Sequence, residues 1–220
     1  MFDAVLFDCD GVLVDSEPIT NGVLREVLNE SGWALTQAEC MQIFIGKAVR
    51  DERARIEAET GKPFTEAWLK AFYERRNARL LAELKAMQGA VDAVSVVHRQ
   101  VAGRIACASG ADRAKVVMQL DMVGLLPYFG ERVFSGHDLP RSKPAPDVYL
   151  AAAAHLGVDP ARCLVVEDTA TGAQAGLAAG ATVWGYCPEG HGRAFDGMPV
   201  ARVFHHMDEL RSLFAAPLAG

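Results

Sequence analysis

Five short apolar segments, and the helical patterns that follow them, restrict the fold more than any other feature of the sequence. Their length and continuous apolar character are typical of strands buried on both faces of a sheet. They are AVLFD (4–8), GRIACAS (103–109), RVFSG (132–136), ARCLVVED (161–168) and ATVWGY (181–186). Helical patterns lie at 112–121, 145–156 and 170–179. Strands that alternate with helices build a parallel sheet covered on both faces. The sequence therefore predicts an α/β fold of three layers in the order α/β/α.

The spacing of the first two strands indicates an inserted domain. Asp8 and Ser109 lie about 100 residues apart, whereas a β-α-β unit needs roughly 30. The intervening chain is charged and helical in period, as in AVRDERARIEAE (48–59) and TEAWLKAFYERRNARLLAELKAM (65–87). We therefore expect a Rossmann-like core over residues 1–15 and 85–220 and a small helical-bundle cap domain over residues 16–84.

Polar side chains follow the predicted strands where each strand ends. In open parallel sheets, ligands bind outside the carboxyl ends of the strands, so these residues are expected to share one site. The set combines carboxylates with one hydroxyl and one lysine, the lysine lying in the proline-containing loop SKPAPD (142–147). Its members are Asp8, Asp10, Ser109, Gly110, Lys143, Glu167 and Asp168.

Carboxylates gathered in this way need a cation. Two of them about 4 Å apart repel by about 4 kcal/mol at an effective dielectric near 20. Oxygen ligands without histidine or thiol favour Mg²⁺. Lys143 and Ser109 can then hold phosphoryl oxygens, assisted by backbone N–H groups near Gly11 and Gly110. One carboxylate can attack phosphorus to form an aspartyl phosphate while another transfers protons. The set predicts phosphoryl transfer.

Four stretches resemble the motifs of the haloacid dehalogenase superfamily. They occur in the family's order over nearly the whole chain: FDCDGVLVDSEP (7–18), CASG (107–110), Lys143 in SKPAPD and VVEDTATGAQAGLAAG (165–180). The resemblance is to the phosphatase and phosphomutase members that carry a helical cap after the first strand. It implies a Rossmann-like core and a Mg²⁺-dependent reaction on a small-molecule phosphate monoester.

The resemblance also implies a role for each site residue. Asp8 would be the nucleophile and a Mg²⁺ ligand, and Asp10 the general acid and base that also reaches the metal through its carbonyl. Ser109 would bind the phosphoryl group and Lys143 would balance its charge. Asp168 would bind the metal, with Glu167 as a further ligand or as a partner of the ligands.

The substrate class also rests on resemblance. An acid at Asp10 is typical of members that cleave phosphate esters and so must protonate an ester oxygen. The segment FIGKAVRDE (44–52) resembles the specificity segment of sugar-phosphate members, which makes Lys47 and Arg50 candidate substrate-binding residues. The whole pattern most resembles sugar-phosphate and 6-phosphogluconate phosphatases.

Two alternatives to a phosphatase remain. The first is a β-phosphoglucomutase-type phosphomutase, although those enzymes typically carry histidine where this sequence has Thr20. The second is a phosphate-binding module without catalytic activity. The intact set of Asp8, Asp10, Lys143 and Asp168 argues against the second alternative, because binding alone needs neither a nucleophile nor an acid.

Composition narrows the classes of partner. The 220-residue chain has 28 acidic and 22 basic residues, a net charge of −6 and no basic block, so nucleic acid is not expected as a partner. No apolar run approaches about 18 residues, so no membrane span is expected either. The five cysteines form no C-x-x-C pair, which favours a reducing compartment. We expect a cytoplasmic protein, and a monomer because core and cap can cover each other.

Overall fold

The computed structural model describes residues 2–44, 47–188 and 194–215. The chain forms two compact units, Met1–Val14 with Ala86–Gly220 and Asp15–Lys85. We call the first the core domain and the second the helical domain. The role of the helical domain as a cap stays a prediction.

The core domain contains a six-stranded parallel sheet in the described part of the chain. Its strands are β1 (Ala4–Phe7), β2 (Ile105–Ser109), β3 (Val133–Ser135), β4 (Cys163–Glu167), β5 (Thr182–Tyr186) and β6 (Arg202–Phe204). They are ordered β3-β2-β1-β4-β5-β6. The chain therefore changes direction across the sheet between β1 and β4. In open α/β sheets, this switch point is where a crevice for ligands forms.

Helices cover both faces of this sheet. Those of the core domain are α5 (Ala90–Gln100), α6 (Arg113–Met122), α7 (Leu126–Phe129), α8 (Asp147–Leu156), α9 (Ala170–Ala178) and α10 (Met207–Ala215). Successive strand residues face opposite sides. Leu6 belongs to a buried cluster with residues of α8 and α9. On the other side Phe7 contacts Phe129 of α7, and Trp184 contacts Phe214 of α10, with ring centroids 6.1 and 6.3 Å apart. The predicted three-layer Rossmann-like core is confirmed.

The helical domain has its own apolar core. Its helices are α1 (Glu17–Ser31), α2 (Gln37–Phe44), α3 (Arg53–Thr60) and α4 (Glu66–Glu83). Glycines in the left-handed conformation, Gly32 and Gly61, end α1 and α3. The Thr65 hydroxyl caps α4 by accepting the Trp68 N–H at 3.1 Å. Leu24, Leu28 and Phe72 are among the side chains buried in its centre.

Two elements differ from the sequence interpretation. The helical pattern at 65–87 is longer than α4, which ends at Glu83 because Leu84 turns extended and the Lys85 carbonyl accepts the Asp15 N–H. The sequence does not predict strand β6, because two of its three residues are exposed and it shows no continuous apolar run. Among the described residues, no helix has both the length and the apolar character that a membrane span requires.

Candidate active site

Three of the predicted site residues, Asp8, Ser109 and Glu167, lie at the carboxyl ends of the central strands. Asp8 directly follows β1, and its N–H donates to Val166 O of β4 at 3.0 Å. Ser109 is the last residue of β2, and Glu167 is the last residue of β4. Parallel pairing of β1 with both neighbours therefore brings the ends of three strands together at the switch point.

Lys143 joins two buried carboxylates. Its Nζ donates to Asp8 Oδ1 and to Glu167 Oε1, each at 2.6 Å. The side chains of Lys143, Asp8 and Glu167 are 8%, 10% and 1% exposed. The Nζ also lies 4.8 Å from the ring centroid of Tyr149, a favourable position for a cation over an aromatic face. The lysine thus supplies positive charge beside the proposed nucleophile, while its role in balancing the charge of a phosphoryl group stays a prediction.

The pKa values of these groups reflect burial and pairing. Burial raises the pKa of the Asp8 carboxyl to about 7; Lys143 opposes this rise, and the charges of Glu167 and Asp10 add to it. Burial alone would lower the pKa of Lys143, but Asp8 and Glu167 outweigh burial and raise that pKa well above its ordinary value. Lys143 is therefore protonated, and its charge offsets part of the negative charge of Asp8 and Glu167.

Both oxygens of Glu167 accept hydrogen bonds from the protein. Oε1 accepts from Lys143 Nζ and from the Tyr149 hydroxyl, the latter at 2.8 Å. Oε2 accepts from the backbone N–H groups of Asp168 and Thr169 and from the Thr169 hydroxyl, each at 3.1 Å. Two roles are expected for Glu167, and these contacts favour that of a partner, because the carboxylate holds Lys143 in place. Its role as a metal ligand stays a prediction.

Three carboxylates are close enough to share a cation. One ligand oxygen from each of Asp8, Glu167 and Asp168 lies within 4.8 Å of the others. Gly11 has a φ of +80°, and a Cβ there would lie 2.1 Å from Asp168 Oδ2. Only glycine leaves room for that carboxylate. An all-oxygen donor set in a cradle of this kind fits Mg²⁺, while the carbonyl role of Asp10 stays a prediction.

Ser109 and Gly110 occupy the turn after β2. The Ser109 hydroxyl oxygen accepts the Ala111 N–H at 3.0 Å, so its own hydrogen can be donated. The side chain that caps α6 is Asp112, which accepts the Lys115 N–H at 2.9 Å. A Cβ at Gly110 would meet nothing nearer than Ser142 Oγ at 3.9 Å. This leaves the Ser109 hydroxyl hydrogen available to donate, and its role in binding a phosphoryl oxygen stays a prediction.

Lys47 and Arg50 lie in the helical domain and pair with glutamates there. Lys47 Nζ is 3.2 Å from Glu52 Oε1, and Arg50 Nη2 is 3.3 Å from Glu66 Oε2. Both basic side chains are substantially exposed. The glycine that precedes Lys47 lies outside the described residues. A substrate-binding role for Lys47 and Arg50 stays a prediction.

Three residues with contacts in this site were not identified from the sequence. Tyr149 lies in the apolar run YLAAAA and resembles a core residue. Lys115 and Gln119 both contact the Asp10 carboxylate. The helical pattern offers a signal for Lys115 and Gln119. Because α6 buries Val116 and Leu120, positions 115 and 119 lie beside its buried face. A lysine beside the buried face of a helix is nevertheless most often exposed, so this pattern does not identify Lys115 as a site residue.

We expect Gly172→Ala to destabilise the core domain, although alanine favours helices. A Cβ at Gly172 would lie 1.7 Å from Glu167 Oε1 and 2.0 Å from Glu167 Cδ. Because Glu167 is 1% exposed and bonded through both oxygens, it cannot move aside without breaking those bonds. The expected loss is about 1–3 kcal/mol of unfolding free energy, measured by urea denaturation.

Gly22→Ala is the matched control. Gly22 lies inside α1 with nothing within 4 Å of a Cβ. The change there should stabilise the protein by about 0.5–1 kcal/mol. Equal stabilisation by both substitutions would contradict the close packing of Gly172 against Glu167.

Fold and site together define a Rossmann-like enzyme with a lysine-bridged group of carboxylates at the switch point of its sheet. The family described as haloacid dehalogenase-like hydrolase matches residues 2–180. The chain belongs to this family, which confirms the resemblance of its four motifs.

Two named relatives and one solved structure match this chain over 81% to 97% of its length. The 6-phosphogluconate phosphatase of Escherichia coli K12 is 30% identical over 215 residues, covering 97% of this chain and 95% of that protein. The fructose-1-phosphate phosphatase YqaB of the same organism is 31% identical over 181 residues, covering 81% and 93%. The crystal structure of a hydrolase of this family from Deinococcus radiodurans R1, with bound phosphate and sodium, is 36% identical, covers 97% and 95% of the two chains and has a TM-score of 0.77.

Proposed function

We propose that the protein is a Mg²⁺-dependent phosphatase that hydrolyses a small phosphate monoester, a sugar phosphate such as 6-phosphogluconate, through an aspartyl phosphate. The observation that carries this proposal is the buried group of Asp8, Lys143 and Glu167 at the switch point. It supports the proposal because Asp8, the proposed nucleophile, contacts a cation that can balance the charge of a phosphoryl group. The names of the two Escherichia coli relatives, and the phosphate in the Deinococcus structure, support the same chemistry.

The first step transfers the phosphoryl group to the enzyme. An Asp8 carboxylate oxygen attacks phosphorus, the bond from phosphorus to the ester oxygen breaks, and the Asp10 carboxyl gives its proton to that oxygen. The products are the free alcohol, an aspartyl phosphate at Asp8 and an Asp10 carboxylate. Ser109 donates a hydrogen bond to the phosphoryl group, while Lys143 balances its charge.

The second step regenerates the enzyme. The Asp10 carboxylate takes a proton from water as the water oxygen attacks phosphorus, and the bond between phosphorus and Asp8 breaks. Inorganic phosphate leaves, Asp8 is again a carboxylate and Asp10 is again protonated. Asp8, Asp168 and the Asp10 carbonyl would hold Mg²⁺. When bound, Mg²⁺ supplies positive charge that stabilises the phosphoryl oxygens in both steps.

The test is inorganic phosphate release with Mg²⁺ and with EDTA. The panel contains 6-phosphogluconate, fructose 1-phosphate, glucose 6-phosphate, phosphoglycolate, a nucleoside monophosphate and β-glucose 1-phosphate. We expect release that EDTA abolishes and that is fastest with a sugar phosphate. Conversion of β-glucose 1-phosphate to glucose 6-phosphate without phosphate release would instead identify a phosphomutase. Binding of phosphate without turnover of any ester would identify a binding module.

A further inference from the structure

The Asp10 carboxylate contacts two side chains of α6 that the mechanism above does not use. Lys115 Nζ donates to Asp10 Oδ1 at 2.7 Å and to Oδ2 at 2.8 Å. Gln119 Nε2 donates to Oδ1 at 3.0 Å. Three donated hydrogen bonds therefore restrain both oxygens of the residue assigned to proton transfer.

Burial makes this arrangement unlike a surface ion pair. The side chains of Lys115 and Asp10 are 5% and 16% exposed, and Gln119 is fully buried. Holding a lysine ammonium away from water is costly unless a partner compensates it. A charge-assisted contact to both oxygens of one carboxylate, shielded from solvent, also restrains the orientation of that carboxylate more strongly than an exposed ion pair would.

The fold places both donors on one face of α6. Lys115 and Gln119 are four residues apart on α6, so they project from the same face. The Asp112 side chain caps this helix by accepting the Lys115 N–H. The Cys9 thiol lies 3.7 Å from Gln119 Oε1 as a hydrogen-bond donor, which directs the amide nitrogen of Gln119 to Asp10.

The two cations of the site have different partners. Lys143 contacts Asp8 and Glu167, and Lys115 contacts Asp10. The first pairing lies at the position of the proposed nucleophile and the second at that of the proposed acid and base. The two buried lysines are thus each paired with a different one of the two aspartates proposed to carry out the reaction.

We propose that Lys115 and Gln119 are positioning residues that fix the Asp10 carboxyl group for its two proton transfers. This inference rests on the proposed phosphatase reaction. Neither residue needs to touch the substrate. Loss of Lys115 should slow the steps that use Asp10 and spare a step that does not, because the carboxyl group would no longer be held in its productive orientation.

The choice of leaving group separates the steps that need Asp10 from the step that does not. p-Nitrophenolate leaves without needing a proton, so phosphorylation of Asp8 by p-nitrophenyl phosphate does not depend on Asp10. Phenolate is a far poorer leaving group, so phenyl phosphate needs the proton. Hydrolysis of the aspartyl phosphate needs Asp10 with either substrate.

The experiment compares wild type with Lys115→Met by rapid mixing in the presence of Mg²⁺. With p-nitrophenyl phosphate, the variant should release about one equivalent of p-nitrophenolate at near the wild-type rate and then turn over roughly 10²-fold more slowly than wild type. With phenyl phosphate, the variant should show no burst and a turnover reduced by a similar factor. Lys70→Met, at an exposed lysine of α4, is the control and should match wild type.

Gln119→Met provides a second variant that retains the lysine. It should slow turnover of both substrates by a smaller factor, because only one of the three hydrogen bonds that Lys115 and Gln119 donate to Asp10 is lost. Equal slowing of the nitrophenolate burst and of turnover in Lys115→Met, or no slowing of either, would overturn the positioning role. Failure of the wild type to hydrolyse either ester would refute the proposed function instead. If Lys115→Met does not fold, Gln119→Met decides by the same criteria.

Discussion

Asp8→Asn is expected to abolish turnover while the protein stays folded. The amide is nearly the same size as the carboxyl group, and its oxygen can still accept the hydrogen bond from Lys143. It cannot, however, act as a nucleophile toward phosphorus. Loss of a covalent nucleophile typically lowers kcat by a factor on the order of 10⁴–10⁶. Phosphate release measures the activity, and circular dichroism reports the fold.

The matched control is Asp121→Asn, at an exposed aspartate near the end of α6. It should leave both activity and fold unchanged. Substantial steady-state turnover in a folded Asp8→Asn protein would mean that another group attacks phosphorus, and the proposed aspartyl phosphate would be wrong. No burst of product should appear in this variant with p-nitrophenyl phosphate, which separates it from Lys115→Met.

The core fold could be predicted because its strands are buried on both faces. Strands such as β1 and β4 appear in the sequence as continuous apolar runs. Strand β6 lies at the edge of the sheet, where the three-residue segment Arg202–Phe204 pairs with one neighbour and leaves two residues exposed. Its sequence therefore carries no burial pattern. Only its pairing with β5 reveals it.

The site could be predicted as far as strand ends determine it. Asp8, Ser109 and Glu167 come together because β1, β2 and β4 pair in parallel, which the strand pattern already implies. The contacts of each side chain depend on the direction in which it points, and the strand pattern does not determine that direction. The sequence does not reveal that Glu167 uses both oxygens on protein donors, or that Lys115 points inward from α6.

The second large effect is expected for Lys143→Met. Methionine retains the volume of the side chain but leaves the carboxylates of Asp8 and Glu167 without the cation between them. It also removes the charge that would balance the phosphoryl group. Loss of one preorganised donor of this kind costs about 10²–10³ in kcat. Phosphate release measures this effect, and Lys70→Met is the control at an exposed lysine.

The stability of the Lys143→Met protein should depend on pH more steeply than that of wild type. Lys143 opposes the rise in the pKa of Asp8, so without it that pKa moves above about 7. A carboxyl group with a raised pKa in the folded state contributes stability at low pH and loses it as pH rises through that pKa. Breaking a buried ion pair costs about 3–5 kcal/mol when the remaining charge stays ionised.

Urea denaturation in metal-free buffer at about pH 6 and about pH 8 tests the direction of this pH dependence. The difference in unfolding free energy between wild type and Lys143→Met should be larger at the higher pH, where Asp8 must be charged next to Glu167. At the lower pH, Asp8 takes up a proton and the repulsion disappears. A difference that does not change with pH would mean that Lys143 stabilises the core domain by packing rather than by its charge. The lysine would then not be the group that keeps the nucleophile ionised.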